Sequence, residues 1–467
     1  MDEYKITAKE KSNFDTEKDS DLDQAKEFWN QFWILNNYWN EQNFKQMNAV
    51  LQVMVNIIND EKRPLYIEDD MVQKTNIIHF CFFVINEITK NITSDHIFSY
   101  SCFLNSFIQL LSSLFDISQL ASELLINEHP ISALWDLILF RVQDLSFNSM
   151  NLIHKIVTSG QAESEIDFLF PQIIFLLRTE KEREPKYATS LLPIVLSYCE
   201  KTPSSKLKQY VSNLLIVINE LFSSNDYFEK DLSLVYSFCL DIVIELQKKK
   251  FDIFILNHDL FIKIFNIIND HVHIEFYGKV FRFIDISMNS ISDDNQKNMK
   301  TKEVLSRIDR IINIFQACIL KSINIVYLLS NLLLDENSIL KYLLLDESIK
   351  AIIKYHKNHN YQMRESIIWL VWNMLYVCTS EQLIKMFSNN EIFQIVVDSL
   401  DQDNSSFLSL VVKTLGEMIN KLGYTRPGSI KYVDIIIEKM FSIIDTADYE
   451  TQAIFFSEIP KGDDNVD

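Results

Sequence analysis

Glycine occurs 6 times and proline 8 times in 467 residues. Hairpin-rich β folds and glycine-rich phosphate loops both need many turn residues, so both are disfavoured before any motif is read. Cysteine is also scarce. Cys81, Cys102, Cys199, Cys239, Cys318 and Cys378 are scattered without any CxxC pair. They lie in apolar, helical surroundings, which points to reduced core thiols rather than disulfides or zinc. No apolar run approaches the ~18 uninterrupted residues of a membrane span. The opening MDEYKITAKEKSNFD has no apolar segment of the kind a signal peptide carries. There is no GxSxG, no P-loop and no GxGxxG. The close histidine sets, His271/His273 and His356/His359, lack the spacing of a zinc protease. No catalytic residue, cofactor or metal is therefore expected, and the chain reads as a non-enzyme.

Apolar residues make up 48% of the chain, enough for a continuous core, and the net charge is −20. Clustered Lys and Arg are needed to bind a phosphate backbone, so nucleic acid is not an expected partner. An acidic molecule instead attracts basic proteins and peptides. Asn, Ile, Lys and Phe are abundant, as an AT-rich genome would make them, so no single Asn or Ile carries weight.

Residues 1–24 hold eight acidic residues against four lysines and read as a disordered arm. Residues 456–467 read as a short acidic tail. Between them, 25–455, amphipathic helical segments follow one another, separated by polar breaks such as SNDYFEKD, NHNYQMRE and DQDNSS. Longer helices are expected to start near Leu104, Asn148, Tyr187, Lys230, Glu275, Ser322, Tyr361 and Ser405. That spacing of roughly 40–50 residues is the period of armadillo and HEAT units. The expected fold is all-α, a right-handed superhelical solenoid of about nine to ten repeats. One unit cannot bury its apolar face alone, but stacked neighbours can.

Within this array, Trp369-Leu-Val-Trp-Asn373 is followed by MLYVCTSEQLIKMF, and Tyr327-Leu-Leu-Ser-Asn331 precedes it by one period. These stretches resemble the Trp-x-x-x-Asn repeats of the importin-alpha family. IINDEKRPLYI (57–67), FIQLLSSLFDISQLASELLINEHP (107–130), LSYCEKTPSSKLKQY and KMFSIIDTADYETQAIFF follow the family's order along the chain. The resemblance implies an adaptor that binds basic, nuclear-localisation-type peptides and works in cytoplasm and nucleus. The implied peptide-binding residues are Tyr327, Asn331, Trp369 and Asn373, with Glu365 and Asp335 as carboxylates at the mouth of a lysine slot. Residues four apart share a helix face, an Asn amide can bond both N–H and C=O of an extended peptide, and a lysine can lie against a ring face.

Departures from the family pattern are as informative. Its N-terminal peptide-site positions fall here on Phe107/Leu111, Asn151/Lys155 and Pro193/Ser197, with Ser159 where a carboxylate belongs. Lys155 would repel a basic peptide. The short acidic arm also lacks the long basic segment that engages an importin-beta carrier. The alternative expectation is an armadillo scaffold that has lost cargo binding. Trp372 reads as core packing, and Trp29, Trp33 and Trp39 read as a cap on the open end of the stack.

Overall fold

The computed structural model describes residues 8–60, 67–91, 96–160, 163–180, 185–223, 229–269, 276–289, 294–317, 323–357, 360–401, 404–424 and 430–459. Among these residues no strand occurs. The chain divides into two compact units, residues 1–245 and 246–467.

In the first unit the helices are α1 (Ala8–Asn40), α2 (Phe44–Ile58), α3 (Asp69–Thr75), α4 (Ile77–Asn91), α5 (Ile97–Ile117), α6 (Gln119–Asn127), α7 (Ile131–Leu139), α8 (Gln143–Ser159), α9 (Glu163–Glu180), α10 (Pro185–Lys201) and α11 (Ser204–Leu221). Helix α12 (Glu229–Lys248) covers the boundary. The second unit continues with α13 (Ile253–Leu256), α14 (His258–Asn266), α15 (Tyr277–Asn289), α16 (Asp294–Leu305), α17 (Ile308–Gln316), α18 (Ile323–Asp335) and α19 (Leu340–Leu343). It closes with α20 (Asp346–His356), α21 (Tyr361–Val377), α22 (Ser380–Phe387), α23 (Asn390–Ser399), α24 (Ser405–Leu422), α25 (Lys431–Ile443) and α26 (Tyr449–Glu458). Helix α1 begins inside the stretch read as an arm. Residues 1–7 and most of the acidic tail, 460–467, lie outside the described residues, as do His271, His273, His359, Cys318 and the core of the RPLYI turn.

Polar breaks stop and restart the helices by capping. Asn43, Asn257, Asn360, Asn389 and Asn404 each accept backbone N–H bonds from the first turn of the helix that follows. That satisfies donors that have no partner inside the helix and is worth about 1 kcal/mol each. Thr379 and Gln382 form a reciprocal capping box on α22. Where a repeat must turn back sharply, Asn76, His129 and Gly423 adopt positive φ.

Each unit is a stack in which one long helix per repeat packs on its counterpart in the next: α2 on α5, α5 on α8, α8 on α10, and then α15 on α18, α18 on α21, α21 on α24. The repeat period is also written in hydrogen bonds. Lys155 Nζ donates to Ser112 O, 43 residues earlier. Arg310 Nε donates to Ile268 O and Lys439 Nζ to Val397 O, both across 42 residues. Lys421 Nζ donates to Tyr376 O across 45. In all four, a cation on a later repeat bonds a carbonyl near a helix end of an earlier one.

Cys81, Cys199, Cys239 and Cys378 are buried free thiols, and burial pushes the Cys378 thiol up to about 12. Cys102 is free and exposed. Trp29 is buried against Phe28 and Phe32 at the α1 end, whereas Trp33 on the same helix is 53% exposed. Helix α5 is long and apolar enough to cross a membrane by composition. Here one side is core and the other carries Asn105, Gln109 and Ser112.

Candidate peptide groove

The residues implied by the importin-alpha resemblance lie on α18 and α21, which pack against each other. Trp369 and Asn373 share one face of α21, as their spacing requires. That face is turned inward. Asn373 is only 4% exposed and its amide Nδ2 donates to Ser330 Oγ at 2.7 Å. Trp369 is half-buried with its ring edge-on to Phe407 at 5.7 Å. Asn331 Nδ2 donates to Asp285 Oδ1 at 2.6 Å, and Asp335 is ion-paired to Lys297 at 2.5 Å. Asn331, Asn373 and Asp335 therefore serve the contact between repeats. One polar atom of each is thus engaged by a neighbouring repeat, and of the three only Asn373 is buried, while Asn331 is half-buried and Asp335 exposed. The reason is packing: the neighbouring repeats bring Ser330, Asp285 and Phe407 against that face.

Of the set, Tyr327, at 39% exposure, and Asp335 stand out into solvent, while Asn331, Glu365 and Trp369 are half-buried. The Tyr327 hydroxyl is held above the usual range by partial burial and by the nearby carboxylates of Glu365 and Asp285. Asp285 itself is pushed up by burial, against the opposing bonds from Asn331 and Asn289. A carboxylate whose folded pKa is raised costs stability while ionised. That cost disappears as pH falls through the folded pKa and is gone below the unfolded value. Asp285→Asn keeps an acceptor for Asn331 without the charge. It is expected to raise the denaturation midpoint near about pH 7, with an advantage that shrinks towards about pH 4. Urea melts of both proteins across that range check this, and a constant difference would contradict it.

A different place in the fold offers free polar groups. In the first unit, α2, α5 and α8 line a groove of about 510 Å³. Its walls are Gln52, Asn56 and Asn59 from α2, Gln109, Ser112 and Ser113 from α5, and Asn148, Asn151, His154 and Lys155 from α8, with Val55. Several of these groups tie the repeats together. Gln52 Nε2 donates to Ser106 Oγ at 2.7 Å, Ser113 Oγ to Asn59 Oδ1 at 3.1 Å, and Asn148 Nδ2 to Asn105 Oδ1 at 2.7 Å. Lys155 Nζ donates to Ser112 Oγ at 2.7 Å, to Ser112 O at 3.3 Å and to Asp116 at 2.5 Å. His154 Nε2 lies 3.1 Å from Ser197 Oγ, and burial lowers its pKa against the opposing field of Glu200.

Three amides are left over. Asn56, Gln109 and Asn151 carry no side-chain hydrogen bond among the described residues, and each comes from a different helix of the stack. Reading the family pattern onto α5 had selected Phe107 and Leu111. Both are fully buried, and the side of that helix facing the groove is Asn105, Gln109 and Ser112. Likewise Pro193 is half-buried and Ser197 buried. The signal that marks the groove was present in the sequence, as amides at helical spacing in Gln52/Asn56/Asn59, Asn105/Gln109 and Asn148/Asn151.

No protein-family profile matches the chain, and no curated protein resembles it significantly in sequence. Solved structures do resemble it. An engineered protein known from its crystal structure aligns with a TM-score of 0.65 at 10% identity, over 90% of this chain and 96% of that one. A structure described under a phosphorylation switch that controls the interaction between cadherin and beta-catenin aligns with a TM-score of 0.52 at 9% identity. That alignment covers 86% of this chain and 80% of the other. At these identities the likeness is one of fold: an all-α solenoid of armadillo-like helical repeats.

Proposed function

We propose that the chain is a non-catalytic armadillo adaptor that holds an extended segment of a partner protein in the groove of its first unit. The observation that carries this reading is the row of three unpaired amides, one on each of the stacked helices α2, α5 and α8. An amide side chain offers donor and acceptor together, the complement of a peptide group. Packed helices lie about 8–10 Å apart and an extended chain advances about 3.3 Å per residue, so such a row meets the main chain at about every third residue.

Peptide display against the full chain tests the reading. Enriched peptides are expected to bind the wild type and to weaken about tenfold or more when Asn56, Gln109 and Asn151 are all changed to Ala, because each lost bond is worth about 0.5–1.5 kcal/mol. Asn56 and Asn151 are exposed and Gln109 is half-buried without a side-chain bond, so the helical circular dichroism should be unchanged. Enrichment of nothing, or binding indifferent to the triple variant, would count against the proposal.

A second reading is a nuclear-import adaptor of the importin-alpha type that takes basic cargo peptides on the second unit and couples to an importin-beta-like carrier. The observation in its favour is Tyr327, exposed and flanked by Glu365 and Asp285, where a lysine could rest against the ring. A lysine-rich peptide that loses affinity on Tyr327→Ala and Glu365→Gln, and accumulates in nuclei with the chain, would favour it.

A further inference from the structure

The charges around the groove say more about what it selects. Lys155 is its one lining cation, and an ammonium has three hydrogens. All three are taken, by Ser112 Oγ, Ser112 O and Asp116. The same contact neutralises Asp116. No carboxylate is among the lining residues, and His154 is held towards its neutral form by burial. No Phe, Tyr or Trp lines the groove, and its one ring, the His154 imidazole, lies 3.1 Å from Ser197 Oγ and is half-buried, so the large ring faces on which bases usually stack are lacking. What the walls offer a ligand is hydrogen-bonding capacity without charge.

From this we infer that the groove selects an uncharged, extended stretch of polypeptide main chain, about six residues long across the three helices. The inference rests on the peptide-binding reading above and narrows it: the ligand is recognised by its backbone, and charged side chains facing the wall are disfavoured. A lysine opposite Lys155 meets a like charge. An aspartate there finds no free donor on that ammonium and would have to displace Asp116. Proline is excluded wherever an amide of the wall needs a backbone N–H.

The test titrates the full chain with three labelled six-residue peptides: alternating serine and glutamine, lysine-rich, and aspartate-rich. It is run at about 0.5 M salt, where the screening length is only about 4 Å and the long-range pull of the acidic protein is removed. The serine–glutamine peptide is expected to bind at least about tenfold tighter than either charged one, a difference of about 1.4 kcal/mol. Its affinity should fall about threefold or more on Asn151→Ala and again on Gln109→Ala. N-methylation of its backbone should weaken it at about every third position. Equal or tighter binding of the lysine-rich peptide, with the same loss on Asn151→Ala, would overturn the charge selection while leaving peptide binding in place. Failure of all three peptides to bind would remove the peptide-binding reading itself. Displacement of the bound peptide by a neutral oligosaccharide or an oligonucleotide would overturn the assignment to main chain.

Discussion

Replacing Trp372 by Ala should destabilise the second unit by about 3–5 kcal/mol, the range for truncating a fully buried large aromatic. Trp372 is 0% exposed, lies edge-on to Phe407 at 6.1 Å, and donates its indole N–H to Ser399 Oγ at 2.8 Å. Truncation opens a cavity and takes away the donor to Ser399 Oγ, which keeps only its own bond to Val396 O, and both effects act in the same direction. Trp369, three residues away and half-buried, should lose less than about half as much on the same change. Urea melts of the two variants, followed by circular dichroism, compare them directly. A larger loss at Trp369 would mean that the packing of α21 has been assigned to the wrong face.

A loss of about 3–5 kcal/mol is also expected for Lys300→Ala, the usual cost of breaking a buried ion pair from one side. The Lys300 side chain is fully enclosed although α16 is otherwise a polar helix. Its ammonium donates to both carboxylate oxygens of Asp252 at 2.9 Å and to Ser287 O at 3.1 Å, and it lies over the Phe254 ring. Burial lowers its pKa against the opposing pull of Asp252. The stability of the native pair comes from mutual compensation, so Lys300→Met combined with Asp252→Asn should recover most of what Lys300→Ala loses. A double variant no better than the single one would show that the carboxylate does not depend on Lys300 for its partner. Asp252 also caps α13 by accepting from Phe254 N, a role that Asn can fill.

The solenoid was legible because its period is carried by long helices whose apolar faces repeat. The expected starts at Tyr361 and Ser405 are those of α21 and α24, and Tyr187, Lys230, Glu275 and Ser322 fall within a turn of α10, α12, α15 and α18. Leu104 and Asn148 were late for α5 and α8, which begin at Ile97 and Gln143. The first turns of those helices, with Ser99, Ser101, Gln143 and Asp144, look like loop. The site was harder to read because asparagine does three jobs in this chain. Asn360 and Asn404 cap helices, Asn331 and Asn373 bond across repeats, and Asn56 and Asn151 stand free. Local sequence does not separate these roles, because each is decided by what a neighbouring repeat places opposite the amide. For the same reason the Trp369–Asn373 spacing identified a shared face correctly and could not say which way that face points.

The four cation-to-carbonyl bonds between repeats share a direction, although side-chain ion pairs such as Lys297–Asp335 and Lys357–Glu391 run the other way. In every one of the four, the donor belongs to the later repeat and the carbonyl to the earlier. If the later repeat unravels, its predecessor loses the proton donors at its helix end. If the earlier repeat unravels, its successor loses only a place to rest a lysine or arginine, which water replaces at little cost. At these contacts, disorder in the later repeat therefore weakens the helix end before it, while disorder in the earlier repeat is more readily contained. Fraying at the four contacts is asymmetric, and the helix ends whose carbonyls they satisfy should be better protected from exchange while the repeat on their C-terminal side is intact.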